Sequence, residues 1–180
     1  PQAMYGMREV TEDDQTNPLH SYAVCKKYAE IMAADYSQQF GMSFTGVRPT
    51  IGYGHGGRSP AQYWSDMPSY CAVGKPFSME GDGKGLASLV SADDLAEFTR
   101  ILIKADKSPH PVYNVGGPPT SPRDLAEVVK KYIPDAKITF GKQPMMDPEG
   151  KFGLPWLVSG KRAKDDFGFA CMPIEKAVLI

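Results

Sequence analysis

The chain has 180 residues, of which 42% are hydrophobic, 23% charged and 11% aromatic, the make-up of a globular fold with one sizeable core. Its formal charge of −1, without long runs of like charge, gives no electrostatic footprint for nucleic acid or an anionic membrane. No apolar run approaches a membrane span and no signal-peptide pattern opens the chain, while Cys25, Cys71 and Cys171 lie far apart without a CxxC, which fits reduced thiols of the cytoplasm.

In chain order, residues 7–20 are polar, end near an Asn-Pro and read as an exposed loop. From Ser21 to about Phe40 the pattern is helical, and Cys25, Tyr28, Met32 and Tyr36 recur at spacings that predict one buried stripe, with Gly41 as the stop. "SFTGVRPTIGYG" reads as a short apolar strand whose regular pairing ends at Pro49. Ser59-Pro60 predicts a helix start, with Pro68 interrupting that helix. "FSMEGDGKGLASLV" reads as two strands around a Gly-rich hairpin turn. Ser91 caps a helix with acids in its first turn and an apolar face of Leu95, Phe98, Ile101 and Leu102. "PVYNVGG" predicts a buried strand, "SPRDLAEVVKKYI" a capped amphipathic helix and "AKITFG" another strand. Strands alternate with helices, so the fold class is α/β.

Four motifs carry possible chemistry. Tyr22 and Lys26 stand at i and i+4, so a helix places both on one face. A neighbouring ammonium and the positive nicotinamide of an oxidised cofactor both favour a phenolate, and such a tyrosine can exchange a proton with a carbonyl or alcohol. With nine tyrosines in the chain, one such pair also arises by chance. Gly52, Gly54 and Gly57 satisfy GxGxxG, but no helix opens inside the run and no second strand ends in an acid, so a loop is the better reading. "GDGKG" lacks the further ligands of a calcium loop. Asp93 and Asp94 read as helix-start partners rather than a metal pair, and His20, His55 and His110 lack metal-ligand spacing, so no metal is expected.

Six segments in order, "AMYG" (3–6), "NPLHSYAVCKKYAE" (17–30), "GVRPTIGYGHG" (46–56), "SADDLAEF" (91–98), "PVYNVGG" (111–117) and "GKRAKDDFGF" (160–169), resemble the extended short-chain dehydrogenase/reductases, or NAD-dependent epimerase/dehydratase family. The resemblance implies the C-terminal part of a Rossmann-type parallel sheet plus a small α+β substrate-binding region. It divides the chain into a Rossmann remnant (1–58 and 88–117) and a substrate region (59–87 and 118–180). It implies NAD or NADP as cofactor, Tyr22 as general acid/base, and Lys26 holding the cofactor ribose while favouring the phenolate. Tyr22, Lys26, Pro49 and Thr50 would border the cofactor; Tyr5, Arg48, Thr50 and Gly54 would border a small carbonyl, alcohol or sugar substrate. A cytoplasmic homodimer is implied as well.

Three departures accompany the resemblance. The family's phosphate-cradling loop and first strands do not occur in this sequence, which starts "PQAMYG" and ends "MPIEKAVLI" as a piece of a longer polypeptide would. The family's catalytic Ser/Thr would fall at Pro1, and the arginine that many nucleotide-sugar members place on the diphosphate would fall at Ala87. A truncated or degenerate, non-catalytic binding or regulatory module is therefore the competing reading.

Overall fold

The computed structural model describes residues 8–54, 61–144 and 156–178. Helix α1 (Ser21–Phe40) starts where the His20 side chain accepts the Ala23 N–H at 3.3 Å, and ends at Gly41, whose left-handed φ of 65° turns its N–H onto the Ser37 carbonyl. The helix limits match the sequence reading; its buried face does not. Cys25, Tyr28 and Tyr36 are exposed and Met32 is half-buried. The side that meets the fold is Ala23, Lys27, Glu30, Ala33 and Ser37, of which only Ala33 is buried. Small and polar side chains let α1 lie close to the strands, and the bulky apolar row points outward.

The predicted strand after Gly41 is two. β1 (Gly46–Pro49) pairs in parallel with β5 (Val112–Val115), and β2 (Ile51–Tyr53) pairs in parallel with β4 (Leu89–Ser91). Pro49 is the last paired residue of β1, opposite Val115, and the chain changes partners at Thr50. The crowding there demands glycine opposite. A Cβ on Gly116 would sit 2.9 Å from the Thr50 methyl, and one on Gly117 would sit 2.8 Å from the Leu89 carbonyl oxygen.

Helix α2 (Tyr63–Ala72) runs through Pro68 rather than ending at it. Proline there removes one helical hydrogen bond, but Trp64, Met67 and Cys71 are almost wholly buried around it, and that packing outweighs the loss. The predicted Ser59-Pro60 start lies outside the described residues. β3 (Phe77–Gly81) and β4 do not form the expected hairpin: β3 pairs in parallel with β6 (Ile138–Gln143). All three residues of β4 are buried, so it needs cover on both faces, which a parallel position flanked by helices supplies and a surface hairpin does not.

Helix α3 (Ala92–Lys104) and helix α4 (Pro122–Tyr132) begin as predicted. Ser91 Oγ accepts the Asp94 N–H, and Ser121 with Asp124 forms a reciprocal capping box ahead of Pro122. Ser121→Ala is expected to cost about 1 kcal/mol, read as a lower urea midpoint with an unchanged slope; an unmoved midpoint would remove the cap from the account. Short helices α5 (Lys161–Phe167) and α6 (Ile174–Ala177) are the last elements among the described residues.

Two apolar clusters hold these together. One joins Trp64, Met67 and Cys71 of α2 to Phe77, Leu89, Leu125 and Val129. The other sets Phe98 of α3 against Val90, Tyr113, Val115, Ala163 and Phe169. All three strand pairs are parallel and separated by helices, so the α/β class read from the sequence is the class observed.

Candidate active site

Helix α1 presents the Tyr22–Lys26 pair as its spacing predicts. The Lys26 ammonium lies 5.3 Å from the centre of the Tyr22 ring, and Tyr22 is 67% exposed. The His20 ring stacks on the Tyr22 ring at 6.3 Å between centroids. A phenolic hydroxyl with an adjacent cation, open to a ligand, can donate a proton to a carbonyl oxygen or take one from an alcohol.

The other predicted site residues lie along β1, β2 and the turn that follows. Thr50 is half-buried and its Oγ donates to the Val115 carbonyl at 3.2 Å, an oxygen that also accepts the Thr50 N–H. Pro49 is exposed. Gly54 has φ of 114° and gives its N–H to Ser65 Oγ at 3.2 Å. Tyr5 lies outside the described residues, as do Pro1, His55 and Gly57.

Arg48 is turned toward helix α1. Its Nε and Nη2 donate to the two carboxylate oxygens of Glu30 at 2.6 and 2.7 Å. Arg48 holds the Glu30 carboxyl below its ordinary value of 4.5, against an opposing effect of burial. A carboxylate lowered by folding stabilises above the unfolded value and loses that contribution as pH falls through the lower folded one. The parent is therefore expected to exceed Glu30→Gln in stability by about 1 kcal/mol at pH 7, a gap that closes below about pH 4. Denaturation at both pH values measures it.

A strap ahead of α1 was read as plain exposed loop, yet it is anchored at depth. Val10 is buried and bridges Val158, with Val10 N–H donating to Leu157 O at 2.9 Å and Ser159 N–H to Val10 O at 2.8 Å. The Glu12 side chain is 4% exposed and accepts the Asn114 N–H of β5 at 2.8 Å. Arg162 of α5 closes the arrangement with Asp13 at 2.6 Å and the Val112 carbonyl at 3.2 Å. Burying a carboxylate requires such partners. Sequence reading missed both Glu12 and Glu30: spacing gives Glu12 no signal, whereas the place of Glu30 four residues beyond Lys26 could have found it.

The remaining motifs fall to structure. Asp94 is buried, accepts from Ser91 Oγ at 2.8 Å and from the Met172 N–H at 3.1 Å, and so joins α3 to the 168–173 segment. All three cysteines are free; burial, with the Asp94 carboxylate next, pushes the Cys171 thiol up to about 12, which removes it as a nucleophile at neutral pH. Among the described residues no group of three His, Cys, Asp or Glu could hold a metal ion, and no helix is long and apolar enough to cross a membrane. Ala87 is 2% exposed, with its N–H and carbonyl paired to Thr120 at 2.9 Å each. An open cleft of about 580 Å³ between α2, β3 and β6 is lined by Tyr63, Asp66, Tyr70 and Glu80, with no Lys or Arg in its wall among the described residues.

Parallel strands joined by helices, with an exposed tyrosine–lysine pair on the helix before β1, define a Rossmann-type α/β fold. The chain belongs to the NAD dependent epimerase/dehydratase family, whose sequence profile matches residues 2–116. It is 29% identical over 109 residues to a trifunctional UDP-glucose 4,6-dehydratase/UDP-4-keto-6-deoxy-D-glucose 3,5-epimerase/UDP-4-keto-L-rhamnose-reductase of Arabidopsis thaliana, a match covering 58% of this chain and 15% of the plant protein. It is 28% identical over 118 residues to a UDP-glucuronate 4-epimerase of Thermodesulfobacterium geofontis, covering 64% and 36%. Among solved structures, the holo form of a GalE-like L-threonine dehydrogenase from Cupriavidus necator superposes with a TM-score of 0.79 at 17% identity, over 98% of this chain and 59% of that one. A UDP-glucuronic acid 4-epimerase from Bacillus cereus, with UDP-glucuronic acid and NAD, gives 0.72 at 21% identity, over 98% and 56%. The chain thus spans well under two thirds of the length of each of these proteins.

Proposed function

We propose that this chain is the acid/base half of an NAD(P)-dependent oxidoreductase or epimerase of the extended short-chain type. The observation that carries the reading is the exposed Tyr22 phenol with the Lys26 ammonium 5.3 Å from its ring, on a helix of a chain that belongs to this family. When bound, the dinucleotide would supply a hydride acceptor or donor. The present residues fit such a ligand on one side: Tyr22 and Lys26 are both open to solvent, and Pro49 is exposed where the cofactor would pass. Lys26 would hold the ribose of a bound dinucleotide, and Tyr22 would pass a proton to or from the substrate oxygen. The glycine-rich cradle that a pyrophosphate needs is not found among the described residues, so tight cofactor binding belongs to the complete polypeptide.

On the substrate side, Thr50 and Gly54 would border the proposed pocket. A buried methyl at Ala87 offers nothing to a diphosphate, which favours a smaller carbonyl or alcohol, or a sugar held by hydrogen bonds. The division into a Rossmann remnant (1–58, 88–117) and a substrate region (59–87, 118–180) is part of the same reading. So is a homodimer through α1, whose outward row includes Tyr28, Ile31 and Phe40 at 50–66% exposure.

The test uses the complete polypeptide with NAD(P): NAD(P)H formation with L-threonine and simple secondary alcohols, and NMR analysis of the sugar product with UDP-glucose and UDP-glucuronic acid. Epimerisation of those sugars returns the hydride and leaves no net NAD(P)H. Turnover that Lys26→Met weakens mainly through the cofactor's KM supports the reading. No cofactor binding and no turnover would favour the non-catalytic module.

A further inference from the structure

Arg48 was expected to face the substrate, and its guanidinium instead grips helix α1. Tyr22, Lys26 and Glu30 stand at i, i+4 and i+8, so one face of α1 carries the proton donor, its cation and then the carboxylate that Arg48 holds by two parallel bonds. Among the described residues apolar packing does little to fix the rotation of this helix, because Ala33 alone is buried along it. A planar fork bound through both nitrogens can fix it, since it resists turning in a way a point charge does not.

The strand side of this contact is equally specific. Arg48 is the register partner of Asn114, and the Asn114 N–H is the donor to Glu12. The strap before the dyad and the helix after it are therefore tied to a single rung of the β1–β5 ladder. Pro49 and Thr50, where the cofactor is proposed to pass, follow Arg48 directly.

We propose that the Glu30–Arg48 pair is a positioning device that sets the rotation of α1, and so the placement of Tyr22 against the cofactor, with Arg48 making no contact to substrate. This rests on the acid/base reading of Tyr22. Misplacing a proton donor by about 1 Å can cost about a hundredfold in rate, so the pair has leverage on chemistry beyond its share of stability.

The test uses the complete polypeptide and a charge-neutral removal, Glu30→Gln with Arg48→Gln, beside the swap Glu30→Arg with Arg48→Glu. Glu97→Gln with Arg100→Gln, which deletes a comparable pair on α3, is the control. With whichever of L-threonine, UDP-glucose or UDP-glucuronic acid is turned over, the neutral removal is expected to lower kcat about 10- to 50-fold. Both KM values should stay within about twofold. The swap restores much of the loss and the control is silent. A raised substrate KM with intact kcat in Arg48→Gln, and a silent Glu30→Gln, would make Arg48 a substrate ligand and overturn the proposal.

A second arm needs no substrate: the chemical shift of the Tyr22 ring carbons at neutral pH, followed by NMR in tyrosine-labelled protein. It should move in the neutral removal and in Lys26→Met, and stay in place in the control. If only Lys26→Met moves it, the positioning role fails while the dyad stands. If Lys26→Met leaves it unmoved too, the dyad reading falls and the proposal with it.

Discussion

Tyr22→Phe, placed in the complete polypeptide, is expected to lower NAD(P)-linked turnover by about 10² to 10⁴-fold with cofactor affinity within about twofold of the parent. The substitution removes one oxygen from a side chain that is 67% exposed, so it leaves no cavity and breaks no buried contact. Nor does it disturb the start of α1, since the cap there is the His20 side chain accepting the Ala23 N–H. A large loss in kcat would therefore report proton transfer rather than damage to the fold. Unchanged turnover would reject the acid/base role, and a loss confined to KM would make Tyr22 a binding residue only.

The largest stability effect is expected at Phe98. Its side chain is wholly buried, with ring centroids of Phe169 at 4.8 Å, Tyr113 at 5.7 Å and Phe167 at 6.0 Å. Phe98→Ala empties the centre of that aromatic group and should cost about 3–5 kcal/mol. Domains are commonly stable by about 5–15 kcal/mol, so the variant should be near the edge of folding at ambient temperature. Phe98→Leu keeps most of the volume and should lose far less, which separates a packing defect from a general intolerance at the site. Urea denaturation followed by circular dichroism measures both; a loss below about 1 kcal/mol in the alanine variant would contradict the packing described.

What the sequence made legible was chiefly local. The limits of α1, the Ser91 and Ser121 caps and the Gly41 stop depend on chemistry within a few residues, and each is in the structure as read. The spacing of Tyr22 and Lys26 also sufficed to place them together. Partner choice was not legible. β3 and β4 look like a hairpin because they flank a Gly-rich turn, but each pairs with a strand remote in sequence. The period of the apolar row on α1 was right, yet a period cannot say which side meets the sheet, and Ala33 with Glu30 wins over Tyr28 and Tyr36. Glu12 went unread, and Arg48 was named without its Glu30 partner, for the same reason: each contact joins residues remote in sequence, Glu12 to Asn114 and Arg48 to Glu30. The pattern on a strand gives a residue's side, not its counter-ion.

The Val10–Val158 bridge and the Arg162–Asp13 pair also bear on how the chain reaches this state. They close a loop of 149 residues between Asp13 and Arg162, so the strap can dock only after nearly all of the later elements have formed. Contacts of such long range come late and slow folding, since the entropy of closure precedes any gain. During synthesis on the ribosome, the helix bearing Tyr22 and Lys26 would emerge long before α5, and would wait undocked at its leading end until Arg162 had followed it out.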